Sequence, residues 1–500
     1  MKSIHCAAVD LGATSGRIIV GTWRQDQLRL DEVHRFPNQF RPLGSHHYWE
    51  ITALWAEICT GLQEAKRRFP ALAAVGVDSW GVDHVLVDAA GRPVFPVHAY
   101  RDDRTQPGMK RLAAHGLARI YAATGIPNIF YNTSLQLEET ISRFPAIRQM
   151  AKRCLFLPDY FNYLLSGRME NELSIASTSQ LLGLGAAGFS PVALRRFGIP
   201  ASWFSPPIKA GTRLGRVQNL PALRDVQVVA VPGHDTACAY DAMPAAPAGG
   251  DLFISSGTWS LVGFESETPV LGPAALAARI SNERLGDGRY RPLTNIAGLW
   301  LLEQVLKDFG VQPANDRTWT ALIKGAERAP RSAVLLDVAD PAFVNPRSMR
   351  AAIDAYLRRH HGRPPAGLGG YLRLVCDSLG HGHAAALRRF ERLSGLAFKR
   401  ILITGGGAKN RLLCQATADA AGRPVVVCGQ EGAATGNLAS QLIALGKVKD
   451  LSTFRGLLGR RQPSIVYHPR PSSLSSHNAG TAPCSFSSSA RTMPAATESR

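Results

Sequence analysis

The sequence has no C-x-x-C pair, no long basic run and no apolar stretch of membrane-spanning length, and each absence closes off a class of function. Its eight cysteines, at positions 6, 59, 154, 238, 376, 414, 428 and 484, are scattered with no histidine at metal-ligand spacing, so neither a zinc module nor a disulfide scaffold is indicated. His46 and His47 have no ligand partners in the pattern either and read as surface residues. Without a run of ~20 apolar residues, no membrane partner is expected. Met1 and Lys2 lead straight into a strand with no apolar h-region or cleavage site, which predicts a reducing, cytoplasmic setting. Basic residues come in short clusters such as Lys66-Arg67-Arg68, Arg358-Arg359 and Arg460-Arg461, with no aromatics between them. The excess of 57 Lys and Arg over 38 Asp and Glu, a net +19, is therefore not read as a nucleic-acid footprint. It suits a small anionic substrate.

What is present is the material for two α/β domains. A chain of 500 residues exceeds the size at which one core keeps growing, and 45% hydrophobic content supplies two. Residues 4–21 read as an apolar strand, a Gly/Ser/Thr turn and a second apolar strand, and residues 251–264 repeat that plan half a chain later. Buried strands are predicted at 72–78, 226–231 and 400–404, and helices at 54–65, 371–393 and 410–421. The Pro/Gly-rich stretch 242–250 is the expected junction. Beyond Tyr467 the composition turns to Ser and Pro with almost no aliphatics, which predicts a disordered tail.

Five segments carry candidate chemistry. In the turn 10–17 the glycines let backbone N–H groups approach phosphate oxygens, Thr14 and Ser15 add hydroxyls, and Asp10 could hold Mg2+ through water; the same residues also make a good hairpin loop. The turn 255–258 could close on phosphate or be an ordinary tight turn. Gly405-Gly406-Gly407, where a strand gives way to a helix, permits close approach of a planar ring or phosphate, but its spacing fits neither G-x-G-x-x-G nor the P-loop. His234 and Asp235 follow a predicted strand, where α/β folds place ligands, so Asp235 is either a base or the cap of the next helix. Asp78 to Asp83 likewise ends a strand and offers Trp80 and two carboxylates to a sugar.

Taken in order, these pieces resemble the carbohydrate kinases of the glycerol-kinase and xylulose-kinase (FGGY) family. The resemblance runs from about residue 4 to about 460 and rests on VDLGATSGR (9–17), DSWGVD (78–83), YRDDR (100–104), LPDYF (157–161), HDT (234–236), SSGTWSL (255–261), NIAGLWLL (295–302) and GGG (405–407). It implies an α/β fold of two actin-like (ribonuclease H-like) ATPase domains, 1–245 for the sugar and 246–462 for ATP, with a cleft between them and a tail at 463–500. It implies phosphoryl transfer from ATP, with Mg2+, to a ketose, L-rhamnulose ahead of L-fuculose, xylulose or glycerol. Asp235 would be the base and Asp10 would place the metal. Ala13, Thr14, Ser15, Gly16, Arg17, Thr258 and Gly406 would contact ATP, and Gly81, His234, Asp235, Thr236 and Asn295 would line the sugar pocket. Glu303 stands where related kinases have a nucleotide-contacting glutamine, with Gln304 beside it. The expected state is a monomer or weak homodimer. A catalytically silent sensor on the same scaffold is the rival reading, and the presence of Asp10, Asp235 and both turns argues against it.

Overall fold

Near-continuous apolar runs mark strands that are covered on both faces, and the computed structural model, which describes residues 3–185, 188–429, 431–461 and 465–470, bears this out. Strands β1 (Ile4–Leu11), β2 (Ser15–Arg24), β3 (Gln27–Pro37), β6 (Leu72–Ser79), β9 (Arg213–Arg216) and β10 (Gln227–Val229) form one sheet in the order β3-β2-β1-β6-β10-β9. β1, β6 and β10 run parallel to one another, and the remaining pairs are antiparallel. Alternate residues of β1 serve two cores. Ala7, Val9 and Leu11 pack with Leu54, Ile58 and Leu62 of helix Ile51–Arg68, whose apolar positions recur at four-residue spacing. Cys6 and Ala8 pack with Ala434, Leu438 and Leu442 of helix Gly432–Ala444 on the other face. Each such leucine contributes about 1.5–3 kcal/mol by leaving water.

Two small antiparallel pairs, β4 (Phe40–Leu43) with β5 (His46–Trp49) and β7 (His84–Val87) with β8 (Arg153–Phe156), extend this part of the chain. Helices Leu117–Thr124 and Thr133–Arg143 add a further apolar cluster around Ile120, Leu137, Phe156 and Trp203.

A second sheet carries β11 (Asp251–Ser256), β12 (Trp259–Gly263), β15 (Arg400–Thr404), β16 (Val425–Val427) and β17 (Val466–Tyr467) in the order β12-β11-β15-β16-β17. Its pairing repeats that of β2-β1-β6-β10-β9: antiparallel, parallel, parallel, antiparallel. The two hairpins legible in the sequence are thus the first strands of two similar sheets. Helix Gly367–Ser394 buries Leu372, Val375, Leu379 and Phe390, and it ends on Gly395 in the left-handed region (φ 72°).

The chain divides into two units. One comprises Met1–Gly249, Phe264–Thr294 and Glu431–Pro463, the other Gly250–Gly263, Asn295–Gln430 and Ser464–Arg500. The segment 264–294 holds β13 (Ser281–Arg284) and the first residues of β14 (Tyr290–Ala297), which pair as an antiparallel hairpin. Within the stretch 463–500 read as a tail, Val466–Tyr467 instead pairs with Val425–Val426, because two apolar residues can complete the sheet edge; Arg470 N also donates to Asp419 (2.9 Å). The Ser/Pro-rich residues from 471 lie outside the described residues. Among the described residues no helix is long and apolar enough to cross a membrane.

Candidate active site

The carboxyl ends of parallel strands are where α/β sheets present ligand-binding groups. In the first unit β1 and β6 set Asp10 directly opposite Asp78, and an isolated bridge sets Ser79 opposite His234, with Ser79 N donating to Gly233 O (2.9 Å). Asp78 is fully buried, and its Oδ2 accepts Asn437 Nδ2 at 2.6 Å while Oδ1 has no hydrogen-bond partner among the described residues. Burial, reinforced by the Asp10 charge, pushes the Asp78 carboxyl well above its ordinary range. Asn437 is itself held by Gln441 Nε2 (2.6 Å), which also donates to Ala7 O (2.8 Å). Burial raises Asp10 as well, against the nearby Arg17 cation.

The first turn uses its carbonyls for internal bonding. Gly12 O accepts Asn38 Nδ2 (2.8 Å), Thr14 O accepts Asn38 N (3.0 Å) and Ser15 O accepts Gly12 N (3.0 Å). Among the described residues the N–H groups of Ala13 and Thr14 donate to no backbone oxygen, so both are available to an anion. Gly16 carries no side chain because the Phe36 ring occupies that space. Arg17 does not point to open solvent; its guanidinium bridges Asp10 and Glu431, at 2.5 Å each.

Asp235 is the first residue of helix Asp235–Asp241, and His234 holds the cap position. Thr236 N and Oγ1 both donate to Asp235 Oδ1, so one oxygen does serve the helix start. Oδ2 makes no hydrogen bond among the described residues, and the side chain is 31% exposed. One oxygen of this carboxylate therefore serves the helix start while the other is left open. The preceding loop is fixed by Glu172, whose Oε2 accepts Gly233 N (2.8 Å).

Beside Gly81, where an added Cβ would meet Thr178 at 3.2 Å, Val82 adopts φ 69°, a conformation β-branched residues rarely take. Val82 N donates to Thr178 Oγ1 (3.0 Å), which itself donates to Ile175 O (2.8 Å), and Thr133 Oγ1 donates to Val82 O (2.6 Å); these bonds hold it there. Asp83 is fully buried and accepts Trp49 Nε1 (2.6 Å), Trp80 Nε1 (2.8 Å), Gln136 Nε2 (3.1 Å) and Tyr100 N (3.2 Å). Burial outweighs these donors and lifts its carboxyl to about 6. Asp83 thus anchors two indoles rather than reaching a ligand.

In the second unit Thr258 and Gly406 are exposed, as are Asn295 and Glu303. Gly405 (φ 83°) and Gly407 allow the 405–407 turn to lie against Ser256, since a Cβ on either would collide with that residue. Behind the 255–258 turn, buried His383 bonds Ser260 Oγ (3.1 Å) and Thr417 Oγ1 (2.9 Å), and burial pulls its pKa down to about 4.

Sequence reading missed Glu431, Asn437, His383, Glu283 and Arg291. Only the last two left a trace, as opposite charges flanking the Gly286-Asp287-Gly288 turn. Among the described residues no group of three or more His, Cys, Asp and Glu side chains is arranged to chelate a metal. The carboxylates at the strand ends, with Asp78 Oδ1 unpartnered, fit an ion carried mainly by phosphate and water.

The model of the N-terminal domain of the FGGY family of carbohydrate kinases matches residues 5–240, and that of the C-terminal domain matches residues 252–445. This chain belongs to the FGGY family of carbohydrate kinases. Among relatives of this FGGY kinase, the rhamnulokinase of Klebsiella pneumoniae is 37% identical over 95% of the chain and 96% of that protein. The rhamnulokinase of Pectobacterium atrosepticum is 38% identical, covering 94% of each chain, and that of Bacteroides thetaiotaomicron 35%, covering 93% of this chain and 95% of its own. Solved structures share the α/β fold. Gluconate kinase from Lactobacillus acidophilus matches with TM-score 0.77 at 13% identity, and Plasmodium falciparum glycerol kinase with ADP matches with TM-score 0.77 at 14% identity, each covering 94% of both chains.

Proposed function

We propose that this kinase transfers the γ-phosphoryl group of ATP to L-rhamnulose, giving L-rhamnulose 1-phosphate and ADP. The observation that carries the choice of acceptor is the 35–38% identity to proteins named rhamnulokinase along almost the whole chain. Asp235 Oδ2 takes the proton of the acceptor hydroxyl as that oxygen attacks the γ-phosphorus. The new O–P bond forms as the bond to the bridging oxygen breaks, and its electron pair leaves with ADP. An ordinary carboxylate suffices, because the alcohol acidifies as it bonds to phosphorus and placement matters more than basicity.

Ala13 to Arg17, Thr258, Glu303 and Gly406 are the proposed ATP contacts. Gly81, His234, Asp235, Thr236 and Asn295 are the proposed sugar contacts. Arg17, already paired with two carboxylates, acts in this reading by ordering the turn and releasing charge toward phosphate. Mg2+ bound with ATP would offset phosphate charge, and Asp10 would hold it through water. In the same proposal residues 1–245 bind the sugar and 246–462 bind ATP, and the protein works in the cytoplasm as a monomer or weak homodimer. There buried thiols such as Cys6, Cys154 and Cys238 stay reduced.

The test is coupled ADP release over L-rhamnulose, L-fuculose, xylulose and glycerol. L-Rhamnulose should give the highest kcat/KM. A higher value with another acceptor would reassign the substrate, and no ADP release with any would favour a silent sensor.

A further inference from the structure

Behind Asp235 lies a run of side chains that the transfer step does not itself use. His234 Nε2 stands 3.4 Å from Asp235 Oδ1, while Nδ1, on the far side of the ring, lies 3.2 Å from Glu283 Oε2 and 2.9 Å from Arg291 Nη2. Arg291 Nη2 also donates to Glu283 Oε2. Glu283 and Arg291 face each other across the β13–β14 hairpin as register partners, so the fold presets the pair before any ligand arrives. Arg291 is fully buried and Ser281 Oγ donates to Glu283 Oε1 (3.2 Å). Burial works against the Glu283 charge, but Arg291 and His234 outweigh it and hold the carboxyl at about 2. Both partners are therefore charged in use, and their charges cancel.

This arrangement restricts the hydrogen on the ring. Arg291 can only donate, so a neutral His234 that accepts it at Nδ1 must carry its hydrogen on Nε2. A protonated ring has a hydrogen there too, with Nδ1–H given to Glu283. The remaining form would aim a bare Nε2 lone pair at the Asp235 carboxylate, two acceptors facing each other. An N–H at Nε2 is thus the favoured state. Asp235 Oδ1 then faces three donors, Thr236 N, Thr236 Oγ1 and His234 Nε2, and Oδ2 alone is left to take a proton.

We propose that the Glu283–Arg291 pair is a positioning device that locks His234 as an Nε2–H donor to Asp235 Oδ1, sets the ring where it lines the acceptor sugar, and so fixes which oxygen of Asp235 acts as base. This rests on the reading of Asp235 as base. The pair touches the acceptor only through His234, and a double-mutant cycle isolates that dependence. Glu283→Gln, His234→Asn and the double variant are assayed with the best acceptor from the panel, alongside melting temperatures. Glu283→Gln should raise KM for the sugar by roughly tenfold, within the coupling expected inside one network, and leave KM for ATP nearly unchanged. In the His234→Asn background the same change should alter kcat/KM by less than about twofold. A full, additive loss in that background, or wild-type constants for Glu283→Gln, overturns the proposal. Should Glu283→Gln fail to fold, Arg291→Lys, which keeps the buried cation but loses the fork, replaces it in the cycle under the same two criteria. A wild-type protein that phosphorylates nothing on the panel defeats the proposed function instead, so the two failures are distinguishable.

Discussion

At the residue scale the proposed chemistry turns on the two oxygens of Asp235. Oδ1 accepts Thr236 and Oδ2 is open, so Asp235→Asn should keep the helix start, since the amide oxygen still accepts the Thr236 donors, while removing the base. Turnover is expected to fall roughly 10²- to 10⁴-fold with ATP and sugar still bound within a few-fold of wild type, as steady-state kinetics and calorimetric titration would report. A kcat near wild type would take Asp235 out of the mechanism. Asp235 was legible because HDT follows a strand in a recognisable order of motifs. Its supports were not. Glu283 and Arg291 lie some fifty residues further on and meet His234 only through a hairpin that the main chain folds back, and a single sequence does not show which distant charges become neighbours.

At the element scale the sequence reading did well where the period was strong. Hairpin β1–β2 and helix Gly367–Ser394 lie close to where apolar spacing put them, whereas the strand expected at 226–231 shortens to Gln227–Val229, since only those residues find ladder partners. Contacts between helices were invisible. Gly436 in helix Gly432–Ala444 has no Cβ because the Cys238 carbonyl of helix Asp235–Asp241 sits in that space. Gly436→Ala must push the two helices apart, and Asp235 rides on the second. The expected outcome is a loss of roughly 1–3 kcal/mol in denaturant unfolding together with reduced kcat. Unchanged stability would mean the helices are more loosely packed than drawn. Helix Gly367–Ser394 carries a different liability. Its His383 is held near 4 by burial, whereas an unfolded histidine titrates near about 6.5. Between those values the unfolded chain binds a proton that the native state refuses. Stability therefore falls as pH drops from about 6.5 toward 4 and levels off below, by up to about 3 kcal/mol from this residue. Melting curves across that window should show a shallower slope in His383→Gln, which has no proton to gain.

At the scale of the whole molecule the order of the chain and the order of the fold diverge. Helix Gly432–Ala444 packs against β1 through Leu438, and Gln441 donates to Ala7 O, so residues more than four hundred positions apart share one core. A sequence pattern with two successive halves cannot show such a return. Truncation after Arg470 should leave melting temperature and turnover unchanged, because residues 471–500 hold too few aliphatics to offset their ordering entropy. Truncation before Glu431 should abolish both, since it strips Leu438, Leu442 and Phe454 from the core at about 1.5–3 kcal/mol each. The same return has a consequence during synthesis. A ribosome makes the strand bearing Asp10 first and the helix that covers it only after Gln430, so the nascent first unit waits, with one face of its central sheet bare, through the translation of most of the second unit. Chaperone occupancy of that face, and sensitivity to stalling or premature termination anywhere before about the last tenth of the message, follow from where one helix is encoded.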